Sequence, residues 1–439
     1  MNIILLSGGS GKRLWPLSND VRSKQFIKLF KNRNGDHESM VQRVYNQIKT
    51  VDKDAIITIA TSKSQVSAIH NQLGDNVSIC VEPTRRDTFP AIVLAAAYLH
   101  DELGVPLDES VVVCPVDPYV ENSYYETVKK LGDLTNEANL TLMGIEPTYP
   151  SEKYGYIIPK SKDTLSAVQE FKEKPDKETA QKYLDQGAVW NAGVFAFKLN
   201  YILNKAHELI DFVDYEDLYN KYESLTKISF DYAVVEKEDK INVLRYSGQW
   251  KDVGTWNTMS EVMSENVVGP ATLDETCEDV NVINELNIPL LVMGAKNMVI
   301  AASGDGILVA DKERSGYMKP YVEKISTGIK YAEKSWGEYK VLDENKGYIN
   351  AKITLFEGKR MSYHKHIHRD ETWTVLFGEG KVIIDGRSKK INRGDVIHIP
   401  RGVKHTIYAR TNVILLETQI GDIITTSDKI KYQLDANLV

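Results

Sequence analysis

Ile3-Ile4-Leu5-Leu6-Ser7-Gly8-Gly9-Ser10-Gly11-Lys12-Arg13-Leu14-Trp15-Pro16-Leu17 begins as an apolar run and turns glycine-rich almost at once. The run reads as a strand buried on both faces. The loop after it can offer backbone N–H groups without side-chain obstruction, as a phosphate requires. It lacks the GxxxxGK[ST] spacing of a P-loop. It also departs from the dinucleotide fingerprint, because Gly9-x-Gly11 is followed by Leu14 where a small residue is needed. Arg13, and Lys24 within Ser23-Lys24-Gln25-Phe26, supply fixed cations suited to the charge that develops on a departing pyrophosphate.

Working outward, strand-like and helix-like patterns alternate. Met40 to Lys49 predicts a helix, Ala55 to Ala60 a strand, Ser64 to Leu73 a helix and Ser78 to Val81 a strand. Phe89 to Leu103 predicts a helix and Ser110 to Cys114 another buried strand. This order predicts an α/β fold with a mixed, mostly parallel sheet, whose ligands bind beyond the carboxyl ends of the strands.

The bulk numbers set limits. A chain of 439 residues exceeds one ordinary core, so two or three domains are expected. A net charge of -7 argues against general nucleic-acid binding but leaves room for a small anionic ligand in a local positive pocket. The N-terminus lacks the pattern of a secretory signal, and no apolar stretch reaches the length of a membrane span. Cys80, Cys114 and Cys277 lie far apart without a CxxC pair, which suits reduced thiols and a cytoplasmic location.

Beyond about Val282 short β-like runs take over. The expected division is a first domain over 1–265, a connecting β region with linker over 266–328, and a small barrel over 329–439. Turn signals Asp385-Gly386 and Asn392-Arg393-Gly394 separate the barrel's strands. Five of the nine histidines fall in this last part: His364, His366, His368, His398 and His405. Residues two apart on a strand share a face, so His364 and His366 can look into a barrel together.

The segment LSGGSGKRLWPLS followed by SKQF resembles the signature of sugar-1-phosphate nucleotidyltransferases, most closely mannose-1-phosphate guanylyltransferases. The likeness continues through Glu82-Pro83-Thr84-Arg85-Arg86-Asp87-Thr88-Phe89-Pro90-Ala91, Pro115-Val116-Asp117 and Tyr154-Gly155-Tyr156-Ile157. It runs on through Phe171-Lys172-Glu173-Lys174-Pro175-Asp176, Trp190-Asn191-Ala192-Gly193, Asp231-Tyr232-Ala233-Val234 and Trp250-Lys251-Asp252-Val253-Gly254. The resemblance implies a nucleotide-diphospho-sugar transferase-like fold, with an NTP and a sugar-1-phosphate as substrates. It implies Arg13, Lys24, Asp117 and Asp252 as catalytic residues, the two aspartates holding Mg²⁺. Leu6, Gly8, Gly9, Gly11, Lys12, Glu82, Arg86 and Asp87 would bind the nucleotide. Gly155, Glu173, Lys174 and Asn191 would bind the sugar phosphate. Lys12, Asp87, Phe89 and Pro118 replace the residues usual in the family. A carboxylate at position 87 could accept from guanine N1 and N2 or from the exocyclic amine of cytosine, so GTP and CTP both stay open. Many relatives self-associate, and a homo-oligomer fits the family.

Gly358-x5-His364-x-His366-x4-Glu371-x6-Gly378 and Gly394-x5-Pro400-x-Gly402-x2-His405 resemble the two cupin motifs. The resemblance implies a C-terminal cupin β-barrel in which His364, His366, Glu371 and His405 ligate Zn²⁺, Fe²⁺, Mn²⁺, Co²⁺ or Ni²⁺. Fused this way, the halves are similar to bifunctional mannose-6-phosphate isomerase/mannose-1-phosphate guanylyltransferases. The barrel is then either an isomerase of mannose-6-phosphate and fructose-6-phosphate or a regulatory metal barrel. The arginine expected to grip the sugar phosphate is missing from Gly421 to Gln433.

Overall fold

The computed structural model describes residues 1–9, 11–325 and 328–435, the side chains at 11 and 426 excepted. Contacts divide the chain into two units. The first holds Met1–Gly9, Gln25–Val66 and Asn76–Ser264, and the second holds 10–24, Ser67–Asp75 and residues from Glu265 onward.

The first unit is built on a nine-stranded sheet. From edge to edge its strands are Ser78–Glu82, Ile56–Ser62, Asn2–Leu6, Ser110–Pro115, Val189–Lys198, Leu140–Ile145, Ile241–Tyr246, Leu165–Lys172 and Tyr156–Pro159. The first four run parallel, Leu6 lying opposite Ala60 on one side and Pro115 on the other. Val189–Lys198 runs antiparallel to both of its neighbours, Ser110–Pro115 and Leu140–Ile145, and the far edge is also antiparallel. Parallel order therefore holds for the amino-terminal half of the sheet, and the rest is mixed.

Local chemistry sets the helices. Met40–Val51 is opened by Ser39 and Gln42 in a reciprocal capping box, and Met40, Val44 and Ile48 recur at the helical period on its buried face. Thr88–Asp101 is apolar nearly all round, with ten buried residues from Phe89 to Leu99. It lies between the parallel strands and the helices Leu199–Leu209 and Tyr215–Lys221, so both of its faces need burial. Cys80 and Cys114 are buried free thiols, and Cys277 is a half-buried one.

In the second unit, Glu278–Asn284 pairs in parallel with Val267–Val268 and Lys296–Ser303, and Ala271–Leu273 pairs in parallel with Leu290–Val292. Val280, Val282, Val292 and Ile300 fill the space between these short coils. The barrel that follows consists of a six-stranded and a five-stranded sheet around Trp373, Val375, Ile353, Ile407 and Leu415. Three of its strands, Gly337–Asn345, Arg387–Ile391 and His405–Ala409, do not stand out as apolar runs in the sequence.

Candidate active site and barrel metal centre

Asp117 follows the buried strand Ser110–Pro115 and precedes a short strand, Pro118–Val120. That strand pairs antiparallel with Trp250–Asp252 in a register that sets Asp252 opposite Pro118. A separation of 135 positions along the chain (252 minus 117) is thus closed to neighbouring places on a two-stranded ribbon. Asp252 ends a strand, and the helix Trp256–Ser260 takes Thr255 as its N-cap.

Both aspartates line one cavity of about 250 Å³ together with Tyr154, Gly155, Glu173, Asn191 and Asp231, among others. Asn191 donates to Asp231 at 2.8 Å and accepts from the Gly193 amide at 3.0 Å, while its own amide donates to the Gly155 carbonyl at 2.8 Å. A side chain at Gly155 would displace Glu173: a Cβ there would stand 2.5 Å from Glu173 Oε2. Burial, then the neighbouring Glu173, pushes the Asp231 carboxyl up to about 6. Lys174 adopts φ 43° and its ammonium bonds Glu173, which raises the lysine's affinity for its proton.

A second cavity of about 680 Å³ shares Glu173 and Asp231 with the first and extends past Lys174, Asp87, Lys227 and Tyr232. Asp87 holds φ 71°, a strained position for a residue with a Cβ, and caps Thr88–Asp101 by accepting from the Thr88 amide at 2.9 Å. The loop Lys227–Ser229 is fastened beside it, since the Ile228 amide donates to the Arg86 carbonyl at 3.3 Å and the Phe89 amide to the Ile228 carbonyl at 3.2 Å.

Leu6 ends the first strand, and its carbonyl accepts from the Val116 amide at 3.1 Å, so the loop opening and the Asp117 turn are held together. Gly8 and Gly9 are exposed, with Gly9 at φ 119°. Arg85 donates to the Gly9 carbonyl at 3.0 Å, a loop contact that its place in the sequence does not announce. Gln25 reaches the Ser7 hydroxyl at 3.1 Å, giving the SKQF block an anchoring role at the base of the loop. Gly11, Lys12 and Arg13 form a 3-10 turn with Leu14, and Lys24 begins another; Arg13 is exposed and Lys24 half-buried.

Two residues expected to bind the nucleotide are also engaged within the protein. Glu82 is buried and accepts from the Tyr222 hydroxyl at 2.9 Å. Arg86 donates to the Glu223 carbonyl. Both tie the strand end to the segment around Tyr222.

In the barrel, His364, His366 and His405 are all buried, and one nitrogen from each lies within 4.8 Å of the others. The Nδ1 atoms sit against backbone carbonyls: His364 on Ser362 at 2.6 Å, His366 on Asp428 at 2.6 Å, His405 on Val403 at 3.0 Å. Donation from Nδ1–H leaves each Nε2 lone pair pointing inward, the arrangement that metal-binding imidazoles use. Glu371 Oε1 is 3.0 Å from His366 Nε2, and Oε2 is 3.4 Å from His405 Nε2. Burial, then Lys429 and His405, brings the His364 imidazole down to about 2, so it stays neutral and available as a ligand. The three histidines fit a divalent transition metal, and Glu371, the fourth expected ligand, lies beside two of them. Arg369 donates to Glu371 at 3.2 Å and lies 3.1 Å from His366 Nε2.

The barrel interior also holds ionisable residues that no sequence motif singles out. Glu417, on the inward parity of Val413–Gly421, is pushed up to about 8 by burial and by Glu371. Lys429 is brought down to about 8, chiefly by burial. His398 faces outward, near the Thr372 hydroxyl at 3.3 Å, and His368 is exposed.

Residues 2–267 match the nucleotidyl transferase family, and residues 324–434 match the mannose-6-phosphate isomerase C-terminal family. The chain belongs to the nucleotidyl transferase family. A mannose-1-phosphate guanylyltransferase of Salmonella montevideo is 29% identical, the alignment covering 97% of this chain and 98% of that protein. The xanthan biosynthesis protein XanB of Xanthomonas campestris pv. campestris (strain B100) is also 29% identical, over 98% and 97% of the two chains. A Thermus thermophilus structure described as mannose-1-phosphate geranyltransferase superposes with TM-score 0.61 at 27% identity, covering 74% of this chain and 99% of the other.

Proposed function

We propose that the first domain joins an NTP to a sugar-1-phosphate, with GTP and mannose-1-phosphate as the preferred pair, and releases pyrophosphate. The observation that carries this reading is the convergence of Asp117 and Asp252 on the cavity that also presents Glu173 and Asn191. Two carboxylates facing a pocket with sugar-type hydrogen-bonding groups suit an anionic substrate only if a cation stands between them. Asp117 and Asp252 would hold Mg²⁺, which supplies charge neutralisation at the reacting phosphates.

The attacking oxygen of a sugar phosphate is already anionic, so no general base is required. Glu173 and Asn191 would orient the sugar hydroxyls, with Lys174 on the phosphate. Leu6, Gly8, Gly9, Gly11 and Lys12 would hold the nucleotide's phosphates, and Asp87 its base. Arg13 and Lys24 would neutralise the leaving pyrophosphate as the α-phosphorus forms its new bond. Glu82 and Arg86 would bind the nucleotide from positions held by Tyr222 and the Glu223 carbonyl. The relatives named guanylyltransferases support guanine and mannose. Pyrophosphate release from a panel of NTPs and hexose-1-phosphates is the test, and silence across the panel overturns the reading.

Residues 1–265 would form this transferase domain, 266–328 a connecting region and 329–439 the cupin barrel. Among the described residues no helix is long and apolar enough to cross a membrane, and a cytoplasmic enzyme fits such a reaction. For the barrel, Glu417 and Lys429 beside the histidine cluster favour a second reading, metal-dependent isomerisation of a hexose-6-phosphate. Conversion of fructose-6-phosphate by metal-loaded protein tests it, and absence of turnover in both directions removes it.

A further inference from the structure

A third polar cavity, of about 120 Å³, lies wholly within the carboxy-terminal unit and is lined by Arg22, Glu285, Gly304, Lys330, Tyr331 and Lys340. Three cations and one carboxylate converge there from three separate segments. Arg22 comes from the loop after the glycine-rich turn, Glu285 and Gly304 from the small β region, and the rest from the entry to the barrel.

Arg22 is 5% exposed, so its charge has been taken out of water and needs compensation. It finds only part of this. Its Nη1 donates to Glu285 at 2.8 Å and its guanidinium carbon lies 4.8 Å from the Tyr331 ring centre, yet its Nε is buried without a hydrogen-bond partner. Lys340 spends its ammonium on the Glu285 carbonyl at 3.2 Å, which is a neutral group, and Lys330 pairs with Glu344 outside the lining. The lining residues themselves carry three cations and one carboxylate around polar space that the protein does not fill, with Glu344 against Lys330 and Glu333 near Arg22 lying outside it. At roughly 30 Å³ per water, the cavity holds about four waters or one small polyatomic anion. It is well below the ~300 Å³ at which drug-sized ligands begin to fit.

We infer that this cavity is a binding site for a single tetrahedral oxyanion, a phosphate group either free or at the end of a small metabolite, separate from the transferase cavity. Cations from a buried guanidinium and two ammonium groups are the donor set that such a dianion selects. Arg22 is also fixed into the loop after the glycine-rich turn: its amide donates to Asn19 Oδ1 at 2.7 Å and its carbonyl accepts from the Asn19 amide at 2.8 Å. Asn19 in turn donates to Asp305 at 2.8 Å, and Asp305 accepts from the Lys330 amide at 2.8 Å. An anion here would therefore order the segment that leads directly into Ser23 and Lys24.

The test is calorimetric titration and thermal melting of the full chain with inorganic phosphate, pyrophosphate and a hexose-6-phosphate, against sodium chloride at equal ionic strength. Wild type is compared with Lys340→Gln and Lys330→Gln, both at half-buried positions where folding should survive. Phosphate should bind and raise the melting temperature, and each substitution should weaken that binding about tenfold, as loss of one charge-assisted hydrogen bond does. Phosphate-free turnover should not change. A response to pyrophosphate or hexose-6-phosphate exceeding that to phosphate would identify the larger molecule as the carrier of the group. Equal responses to phosphate in wild type and both variants, or none beyond that to chloride, would mean a water-filled cavity and overturn the inference.

Discussion

Asn191 donates a 2.8 Å hydrogen bond to Asp231, a half-buried carboxylate held up to about 6. The pair ties a central strand of the sheet to the helical turn Phe230–Ala233 at the wall shared by the two cavities. An aspartate raised to about 6 on the wall of the proposed sugar site would make hydroxyl recognition sensitive to pH.

The sign follows from the direction of the shift. Asp231 accepts a proton more readily than an ordinary aspartate of pKa about 3.9, so its ionisation costs the folded state as pH rises through that window. Ionised, it can accept from a sugar hydroxyl; protonated, it loses part of that capacity. The KM for mannose-1-phosphate should rise as pH falls below about 6, and Asp231→Asn should flatten the profile without lowering the melting temperature at pH 7. A pH-independent KM in wild type would rule out this role.

Gly155→Ala would isolate the proposed sugar subsite. The new Cβ meets Glu173 Oε2 at 2.5 Å and Phe171 Cζ at 3.2 Å, so the flexible carboxylate is what must give way. KM for the sugar phosphate should increase about tenfold, the loss of one hydrogen bond to a charged group. Folding should hardly change, as steady-state kinetics beside a melting curve would show.

Asp117→Asn and Asp252→Asn should each lower kcat about a hundredfold or more, the usual scale for removing a fixed electrostatic stabiliser. The ribbon register predicts one shared function, so the double variant should fall little below either single one. Additive losses in a double-mutant cycle would count against a common metal.

Cobalt provides a readout for the barrel that does not depend on turnover. Titration of Co²⁺ should produce visible absorption of a nitrogen- and oxygen-ligated ion and raise the melting temperature. A roughly hundredfold excess over Kd corresponds to about 2.7 kcal/mol of stabilisation. His366→Ala should abolish both effects, and chelator should reverse them in wild type.

What could be read in the sequence divides along physical lines. Strands Ile56–Ser62 and Ser110–Pro115 and helix Thr88–Asp101 advertise themselves, because burial on both faces forces continuous apolar runs. The histidine pair at 364 and 366 is equally legible, since strand parity alone puts both on one face. Asp231 sits within a recognisable block but shows no role there, because its meaning comes from Asn191 forty positions away. Glu417 carries a local sign, an acidic residue on the inward parity of an apolar strand, that only the assembled barrel makes meaningful. Arg85 and Arg86 are adjacent in sequence, and only the backbone decides that the first meets Gly9 and the second Glu223.

The residues after the glycine-rich turn have their partners far downstream. Ser303 donates to the Pro16 carbonyl at 2.7 Å, Asp305 holds Asn19, Glu285 holds Arg22, and Gly306 leaves the space that the Trp15 indole occupies. A gene cut after Ser264 would therefore yield a fragment whose own signature loop had lost its footing, although every catalytic residue proposed for it was present. The carboxy-terminal part is no detachable passenger: a shortened enzyme would need Trp15, Asn19 and Arg22 redesigned before it could be expected to work.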